Sequence, residues 1–267
     1  MRPQIFLFLL LSACDDNPQT PRSAPPSEQA IAKPACAAHA FEGSAFTVCK
    51  FDARTDRLEL VWKGGSGQPM RSFAALEQDF GRKAAAVRFA MNAGMYDEEG
   101  GPVGLYIEDG KELKKLNRRK GPGNFHLSPN GVFALDSKGE VSVTESGEFR
   151  KKVRKPALAT QSGPMLVING KLHPKFDANG PSQLIRNGVG VHDPGTAYFV
   201  ISEEGVSFGR FARFFRDTLN CPNALFLDGS VSSLWDPGAG RQDAYSQLGP
   251  MFVVSRPAAL DGPHAEP

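Results

Sequence analysis

The chain has 267 residues and a mass of 28.8 kDa, and 40% of its residues are hydrophobic, enough to bury one core without requiring a second domain. Thirty-one lysines and arginines stand against 29 aspartates and glutamates, and this net charge of +2 argues against a nucleic-acid-binding protein. The 28 glycines and 21 prolines are typical of many short strands and turns, and they argue against a helical bundle.

Residues 1–13 have the pattern of a secretion signal. Arg2 precedes the apolar run Ile5–Leu11, and the small residues Ser12 and Ala13 stand directly before Cys14. A run of this length is well short of the roughly 20 apolar residues that a membrane-spanning helix needs. The string ending at Cys14 resembles a bacterial lipobox, so we expect cleavage after residue 13 and a lipid anchor on Cys14. The alternative is a soluble secreted protein with an incidental cysteine.

Residues 14–35 predict a linker that holds the domain away from its lipid anchor. Five prolines lie between Asp15 and Ala35, and apolar residues are almost absent. We therefore expect a cell-envelope protein whose domain stands on the periplasmic or another extracytoplasmic face of the membrane. The folded domain is expected over residues 36–256, followed by a disordered tail over residues 257–267.

The cysteines permit one disulfide in this oxidising location. Once Cys14 carries lipid, Cys36, Cys49 and Cys221 remain. A bond between Cys36 and Cys49 would close a short loop and stabilise the domain by about 3 kcal/mol, although the sequence also allows the other two pairings. The chain has no CxxC pair and no Cys/His cluster, so a structural zinc site has no support. We expect no cofactor, although Ca²⁺ or Mg²⁺ could bind a carboxylate-lined loop without leaving a motif.

Four β-hairpins are predicted where apolar alternation flanks a tight turn. Their turns are Asp109-Gly110, Asp136 to Gly139, Asn169-Gly170 and Glu204-Gly205, the last joining Tyr198–Ile201 to Val206–Phe208.

Two helices interrupt the strands. Ser72 is the predicted cap of a helix over Phe73–Phe80 that stops at Gly81. A second helical stripe contains Phe211, Phe214, Phe215 and Leu219 and ends near Asn220. The sequence therefore predicts an α+β fold, with a mixed, largely antiparallel sheet built of hairpins and a few packed helices.

Each helix leads into an apolar strand that ends in polar residues. Val87–Met91 runs into Asn92-Ala93-Gly94, and Ala224–Leu227 runs into Asp228 and five residues of glycine, serine and valine that end at Ser233. Polar groups at the ends of buried strands are well placed to face a cleft.

Six strings in order, NAGMY, GNFH, ATQSGPMLVINGK, RNGVGV, FLDGSVSSLW and GPMFVV, resemble the phosphodiester glycosidase family from about Cys36 to Val254. The resemblance implies a hydrolase that cleaves a sugar-1-phosphodiester at the glycosidic bond and leaves the phosphate on the second alcohol. The lysosomal branch of that family has Asp-Gly-Gly-Gly-Ser where this chain has Asp228-Gly229-Ser230-Val231-Ser232. The added bulk beside the aspartate is expected to narrow the pocket or alter its substrate.

Three residues are the catalytic candidates. Asp228 is the candidate nucleophile or acid/base, although an aspartate before a glycine often only forms a turn. The Arg186 guanidinium fits the two non-bridging oxygens of a phosphodiester, although it could be an ordinary surface cation. His126 lies in one of the matched motifs, but a loop histidine is more often structural. A second carboxylate is not identified; Asp97 and Asp193 lie near matched motifs.

Nine further residues are predicted to bind substrate because they stand in the same motifs. They are Asn92, Gly94, Asn124, Ser162, Gly163, Asn187, Gly229, Ser232 and Ser233. We expect Asn92, Arg186 and Asp228 to converge on one concave site.

The sequence thus predicts hydrolysis of an N-acetylglucosamine-1-phosphate-like linkage in an envelope or exopolysaccharide glycan. The alternative is a non-catalytic lipoprotein that binds polysaccharide or assists its export. A serine hydrolase is disfavoured because no GxSxG elbow is present.

Overall fold

A computed structural model describes residues 33–257 of the chain. The predicted signal peptide, the lipid site at Cys14, residues 14–32 of the linker and nearly all of the predicted tail lie outside these described residues. Between residues 33 and 257, no helix has both the length and the apolar character needed to span a membrane.

The described residues form seventeen strands. The first eight are β1 (Cys36–Phe41), β2 (Ser44–Asp52), β3 (Arg57–Val61), β4 (Val87–Asn92), β5 (Tyr106–Glu108), β6 (Lys111–Lys114), β7 (Gly131–Asp136) and β8 (Val141–Glu145). The other nine are β9 (Pro156–Ser162), β10 (Met165–Ile168), β11 (Lys171–Leu172), β12 (Asn187–Asp193), β13 (Thr196–Ser202), β14 (Asn223–Phe226), β15 (Leu234–Asp236), β16 (Arg241–Gln242) and β17 (Met251–Ser255).

The helices of the described residues are short. They are α1 (Phe73–Phe80), α2 (Phe149–Lys152) and α3 (Phe208–Arg213), with a π-helical turn at Phe214–Thr218 and 3₁₀ turns at Gly81–Ala86, Asn124–His126, Gly229–Val231 and Pro237–Ala239.

Three sheets make up the domain. Their strand orders are β1-β2-β13-β12-β14-β10-β11, β16-β15-β4-β17-β3 and β6-β5-β9-β7-β8. Every strand pair in the described part of the chain is antiparallel. The predicted antiparallel character is confirmed, but the strands form three sheets instead of one, and none of the described pairs is parallel as a mixed sheet would require. The fold is sheet-rich, and its helix content is small for the balanced α+β class that we predicted.

Three of the four predicted hairpins form. Asp109-Gly110 and Asn169-Gly170 both adopt the positive φ angles that a tight two-residue hairpin turn requires, and β7 and β8 pair around Asp136–Gly139. The fourth prediction is wrong. Both edges of β13 are occupied by β2 and β12, and Ser207 instead caps α3 by accepting a hydrogen bond from the backbone N–H of Arg210.

Both predicted helices are present. Helix α1 has the expected bounds, since Ser72 accepts from the N–H of Ala75 and Gly81 ends it with a positive φ. The second helix begins at Phe208 and continues as the π-helical turn. The Phe215 ring on this turn packs directly on Gly190 of β12. A larger residue would not fit there, because a Cβ atom at Gly190 would lie 2.5 Å from a ring carbon of Phe215.

The main core lies where the three sheets meet. The ring of Phe199 on β13 lies 5.1 Å from that of Phe252 on β17, 5.5 Å from Phe89 on β4 and 5.8 Å from Phe133 on β7, measured between centroids. Such aromatic contacts add to the free energy of burial. Packing these sheets on one core also brings the ends of β4, β12 and β14 together.

The disulfide joins Cys36 and Cys49, which face each other across β1 and β2. This is the pairing that closes the short loop. Cys221 is a buried free thiol, and burial raises its pKa to about 12.

We expect the double variant Cys36→Ser/Cys49→Ser to lose about 3 kcal/mol of unfolding free energy, because its unfolded chain is no longer cross-linked. Chemical denaturation of the wild type with and without dithiothreitol provides the measurement. The reductant should not change the unfolding free energy of the double variant. If it also leaves the unfolding free energy of the wild type unchanged, the prediction is contradicted.

Candidate active site

The site is built where β12 begins beside the end of β14. Their register runs to Gly188 opposite Phe226, and the N–H of Leu227 donates to the carbonyl of Asn187 at 3.1 Å. Continuing this register places Arg186 opposite Asp228. Residues opposite each other in antiparallel strands project from the same face. The two predicted catalytic residues therefore start from one face of neighbouring strands.

Asn92 ties three chain segments together at this point. Its side chain is buried, and Nδ2 donates to the backbone carbonyl of Asp228 at 3.0 Å. Its Oδ1 accepts from Nδ2 of Asn187 at 2.8 Å and from the N–H of Ser233 at 2.9 Å. Asn92 thus holds the backbone on both sides of the loop 228–233, and this is a positioning role.

The Asp228 carboxylate is partly buried at the start of that loop. Its Oδ1 accepts from the N–H of Ser230 at 3.1 Å and so caps the 3₁₀ turn. Burial raises the pKa of Asp228, while the Ser230 hydrogen bond acts in the opposite direction. No cation of residues 33–257 forms an ion pair with this carboxylate. An unpaired carboxyl with raised proton affinity suits acid/base or nucleophilic chemistry.

Arg186 is a fully buried cation. Its Nε donates to the carbonyl of Val206 at 2.8 Å, and Nη2 donates to the carbonyl and hydroxyl of Ser182 at 3.0 and 3.1 Å. The guanidinium carbon lies 3.6 Å from the ring centroid of Phe208, and burial lowers the pKa of Arg186 to about 10. Nη1 has no hydrogen-bond partner, and no carboxylate of the described chain pairs with the guanidinium. Burying a charge without an opposite charge beside it costs folding free energy, and a bound anion would supply the missing partner.

Residues 181–185 lead into Arg186, and Ser182 among them accepts two hydrogen bonds from its guanidinium. All five are exposed to solvent, and the segment is attached through Ser182 and through a single β-bridge between Leu184 and Val206. In this arrangement no hydrogen bond joins Arg186 to Asp228 within the described chain. Because Nη1 is closed to solvent, a ligand reaches it only when the groups packed around it are displaced.

A cavity of about 250 Å³ lies beside the loop that follows Asp228. Gly229, Ser230 and Ser232 line one wall, and Arg241 and Tyr245 line the other. Arg241 forms ion pairs with Glu203 at 2.7 Å and Asp243 at 2.9 Å, and Tyr245 is 84% exposed. An exposed ring beside hydroxyls and charged groups offers the apolar and polar contacts that a sugar can use.

The other residues predicted around Asp228 support its loop. The Ser162 hydroxyl is buried and donates to the carbonyl of Leu227 at 3.1 Å, and the Ser233 hydroxyl donates to Val231 at 2.8 Å. The Ser232 hydroxyl lies 3.5 Å from Oδ1 of Asn187. A Cβ atom at Gly229 would lie 2.6 Å from the Phe226 ring, so only glycine fits there without displacing that ring.

The remaining predicted residues lie on a second loop and its neighbours. The Nδ1 atom of His126 bonds to the carbonyl of Arg119 at 2.8 Å, and Asn124 is exposed at the start of the same 3₁₀ turn. Gly163 packs against Phe125, and Gly94 packs so closely on β9 that a Cβ would lie 2.6 Å from the carbonyl oxygen of Gln161. No hydrogen bond of the described chain joins His126 or Asn124 to Asp228 or Arg186.

The two aspartates considered as a second carboxylate both stabilise turns. Oδ1 of Asp97 accepts from Gly101 at 2.6 Å, and Oδ1 of Asp193 accepts from Gly195 at 2.8 Å. Within residues 33–257, no three His, Cys, Asp or Glu side chains gather in a metal-binding cluster.

Tyr245, Arg241 and Phe208 were not singled out from the sequence as site residues. Tyr245 and Arg241 stand in a polar stretch without a motif. Phe208 was assigned to a strand, and its contact with Arg186 arises only because Ser207 begins a helix there.

Comparison with known proteins supports the resemblance seen in the motifs. A family model described as phosphodiester glycosidase matches residues 85–246, a range that contains Asn92, Arg186 and Asp228. The uncharacterized protein YigE of Escherichia coli K12 is 37% identical over 194 residues, covering 73% of this chain and 74% of YigE.

Two solved structures share the fold. The catalytic domain of zebrafish N-acetylglucosamine-1-phosphodiester alpha-N-acetylglucosaminidase, auto-inhibited by its pro-peptide, superposes with a TM-score of 0.59 at 14% identity, covering 83% of this chain and 81% of that one. A putative exported protein of Burkholderia pseudomallei K96243 superposes with a TM-score of 0.52 at 11% identity, covering 79% of this chain and 74% of that one. At these identities the likeness concerns the fold alone.

Proposed function

Because this chain belongs to the phosphodiester glycosidase family, we propose that it hydrolyses a sugar-1-phosphodiester of an envelope or exopolysaccharide glycan. Water replaces the phosphate at the anomeric carbon, so the C1–O bond breaks and the bonding electrons leave with the phosphate monoester. The products are a free sugar and an alcohol that keeps its phosphate. The observation that carries the proposal is that Asp228, at the end of β14, and Arg186, at the adjoining start of β12, are both shielded from solvent and have no ion-pair partner in the described chain.

Asp228 is the group that acts at the anomeric carbon. A carboxylate beside C1 either attacks it or stabilises the positive charge that develops there. The hydrogen bonds from Asn92 to the Asp228 carbonyl and from Ser230 to the carboxylate fix where that group stands. Such pre-positioning removes part of the entropic barrier to reaction.

Arg186 is the group that accepts the developing phosphate charge. Nη1 is the only nitrogen of this guanidinium without a hydrogen-bond partner in the described chain. In the substrate complex, an N–H group at Nη1 donates to a phosphate oxygen once the groups packed around that nitrogen are displaced. One donor to developing charge is worth about 3 kcal/mol of transition-state stabilisation. A phosphate monoester departs more readily than an alkoxide, so proton donation by a second residue matters less.

The cavity beside Gly229 and Tyr245 is the proposed site of the sugar ring. Its volume of about 250 Å³ is adequate for one monosaccharide, and its lining combines a ring face with hydroxyl groups. For location, we propose the cell envelope with a lipid on Cys14, on the strength of residues 1–35 of the sequence.

Hydrolysis in ¹⁸O-labelled water tests this function directly. With a synthetic N-acetylglucosamine-1-phosphodiester as substrate, we expect the label in the sugar and none in the phosphate, as found by mass spectrometry. Label in the phosphate would show cleavage of the P–O bond and would contradict the proposal. Saturable binding without turnover would instead favour a non-catalytic glycan-binding lipoprotein.

A further inference from the structure

The small net charge of the whole chain conceals two dense basic segments. Residues 111–120 and 150–155 together contain eleven of the 31 lysines and arginines but a single acidic residue, Glu112. The eleven are Lys111, Lys114, Lys115, Arg118, Arg119, Lys120, Arg150, Lys151, Lys152, Arg154 and Lys155. All eleven are exposed.

Folding brings the two segments together into one surface, which we call the basic surface. Arg150 forms an ion pair with Glu112, and this contact joins α2 to the edge strand β6. A cavity of about 540 Å³ opens between them, and its charged lining residues are Asp109, Glu112, Arg150, Arg154 and Lys155. Apart from Arg150 and Lys151, none of the eleven cations pairs with a carboxylate of residues 33–257. The positive potential of this surface is therefore largely uncompensated.

One end of the basic surface is connected to the candidate active site by direct contacts. The carbonyl of Arg119 bonds to His126, and the neighbouring Phe125 packs against Gly163. Ser162, adjacent to Gly163, bonds to the carbonyl of Leu227, the residue before Asp228. The loop 121–130 therefore connects the basic surface to the segment that carries Asp228.

We propose that the basic surface binds a polyanionic glycan, a polymer carrying many phosphodiester groups, and that the enzyme acts on such a polymer. This inference rests on the proposed function and names its substrate class. A row of unpaired cations matches a row of phosphates and releases their counterions on binding. A groove with one exposed leucine, Leu113, suits a chain better than a flat membrane.

Two matched variants test the inference. The first replaces Lys114, Lys115, Lys152 and Lys155 by glutamine on the basic surface. The control replaces four exposed lysines elsewhere by glutamine: Lys50, Lys83, Lys171 and Lys175. Both variants lose the same charge, and neither alters a residue that we place near the reacting atoms.

The readouts are binding of a fluorescent linear polymer of sugar-1-phosphate units, and kcat/KM on this polymer and on a single N-acetylglucosamine-1-phosphodiester. We expect the first variant to lose about tenfold or more in polymer binding and in kcat/KM on the polymer. Its kcat/KM on the single diester should be unchanged, and the control should match the wild type on both. Salt should weaken polymer binding less steeply in the first variant.

The two proposals fail in different ways. Equal polymer binding by the first variant and the control would overturn the basic-surface inference whether or not the protein is an enzyme. Binding to phosphatidylglycerol vesicles without binding to the polymer would overturn it in favour of a membrane contact. A wild type that binds the polymer but hydrolyses neither substrate would retain the binding inference and refute the proposed function.

Discussion

Replacing Asp228 by asparagine is expected to reduce kcat/KM on a sugar-1-phosphodiester by about 10³-fold or more, because removing a reacting carboxylate usually has an effect of this size. The amide has the shape of the carboxyl group, and its oxygen still accepts from the N–H of Ser230. The variant therefore removes the charge and preserves the loop. Steady-state kinetics with release of free sugar as the readout measures the loss.

The stability of the same variant separates a chemical from a structural role. Burial raises the pKa of Asp228 above that of an unfolded aspartate, so the folded state binds more protons between the two values. The stability of the wild type consequently falls as the pH rises through that interval. We expect Asp228→Asn to be at least as stable as the wild type at pH 7, and this advantage should vanish below the unfolded pKa. Thermal unfolding of the wild type and the variant at several pH values measures the fall in wild-type stability and the advantage of the variant.

The pH dependence of turnover follows from the same shift. If the ionised carboxylate reacts, kcat/KM falls on the acidic side as Asp228 becomes protonated. The midpoint of that fall should lie above the ordinary range of an aspartate, because burial raises the pKa. An Asp228→Asn protein that is folded and fully active would refute the assignment.

Replacing Arg186 by methionine is expected to reduce kcat/KM by about 10² to 10³-fold, the usual cost of losing one donor to a developing negative charge. Methionine keeps an apolar stem against Phe208, where the guanidinium now stacks. Arg210→Met is the control. It makes the same substitution at an arginine of α3 that pairs with Glu42. The control should retain wild-type kinetics.

Binding of inorganic phosphate distinguishes a phosphate site from a packing role. A ligand that binds only the folded state raises the melting temperature. We expect phosphate to raise the melting temperature of the wild type and of Arg210→Met, with no rise in Arg186→Met. An Arg186→Met protein that loses activity but keeps the phosphate response would show that Arg186 only supports the fold.

Short-range features of this protein could be predicted from the residues themselves. Ser72 and Gly81 define the two ends of α1, and Asn169-Gly170 forms its tight turn. The Cys36–Cys49 bond is one of the three pairings that the sequence allows, and it is the one that closes a short loop. In each case the interacting groups lie within a few residues of each other, or close a short loop, so propensity and loop entropy determine the outcome.

Tertiary packing decided the features that depend on distant parts of the chain. The fourth predicted hairpin does not form because β2 and β12 occupy both edges of β13. The Asn92 side chain binds partners 95 and 141 residues away, and Tyr245 borders a cavity that no local pattern predicts. The motifs indicated that Arg186 and Asp228 belong to the site, but only the structure shows their burial and missing counter-ions. Burial and electrostatic environment are properties of the packed sheets, whereas turns and caps depend on neighbouring residues.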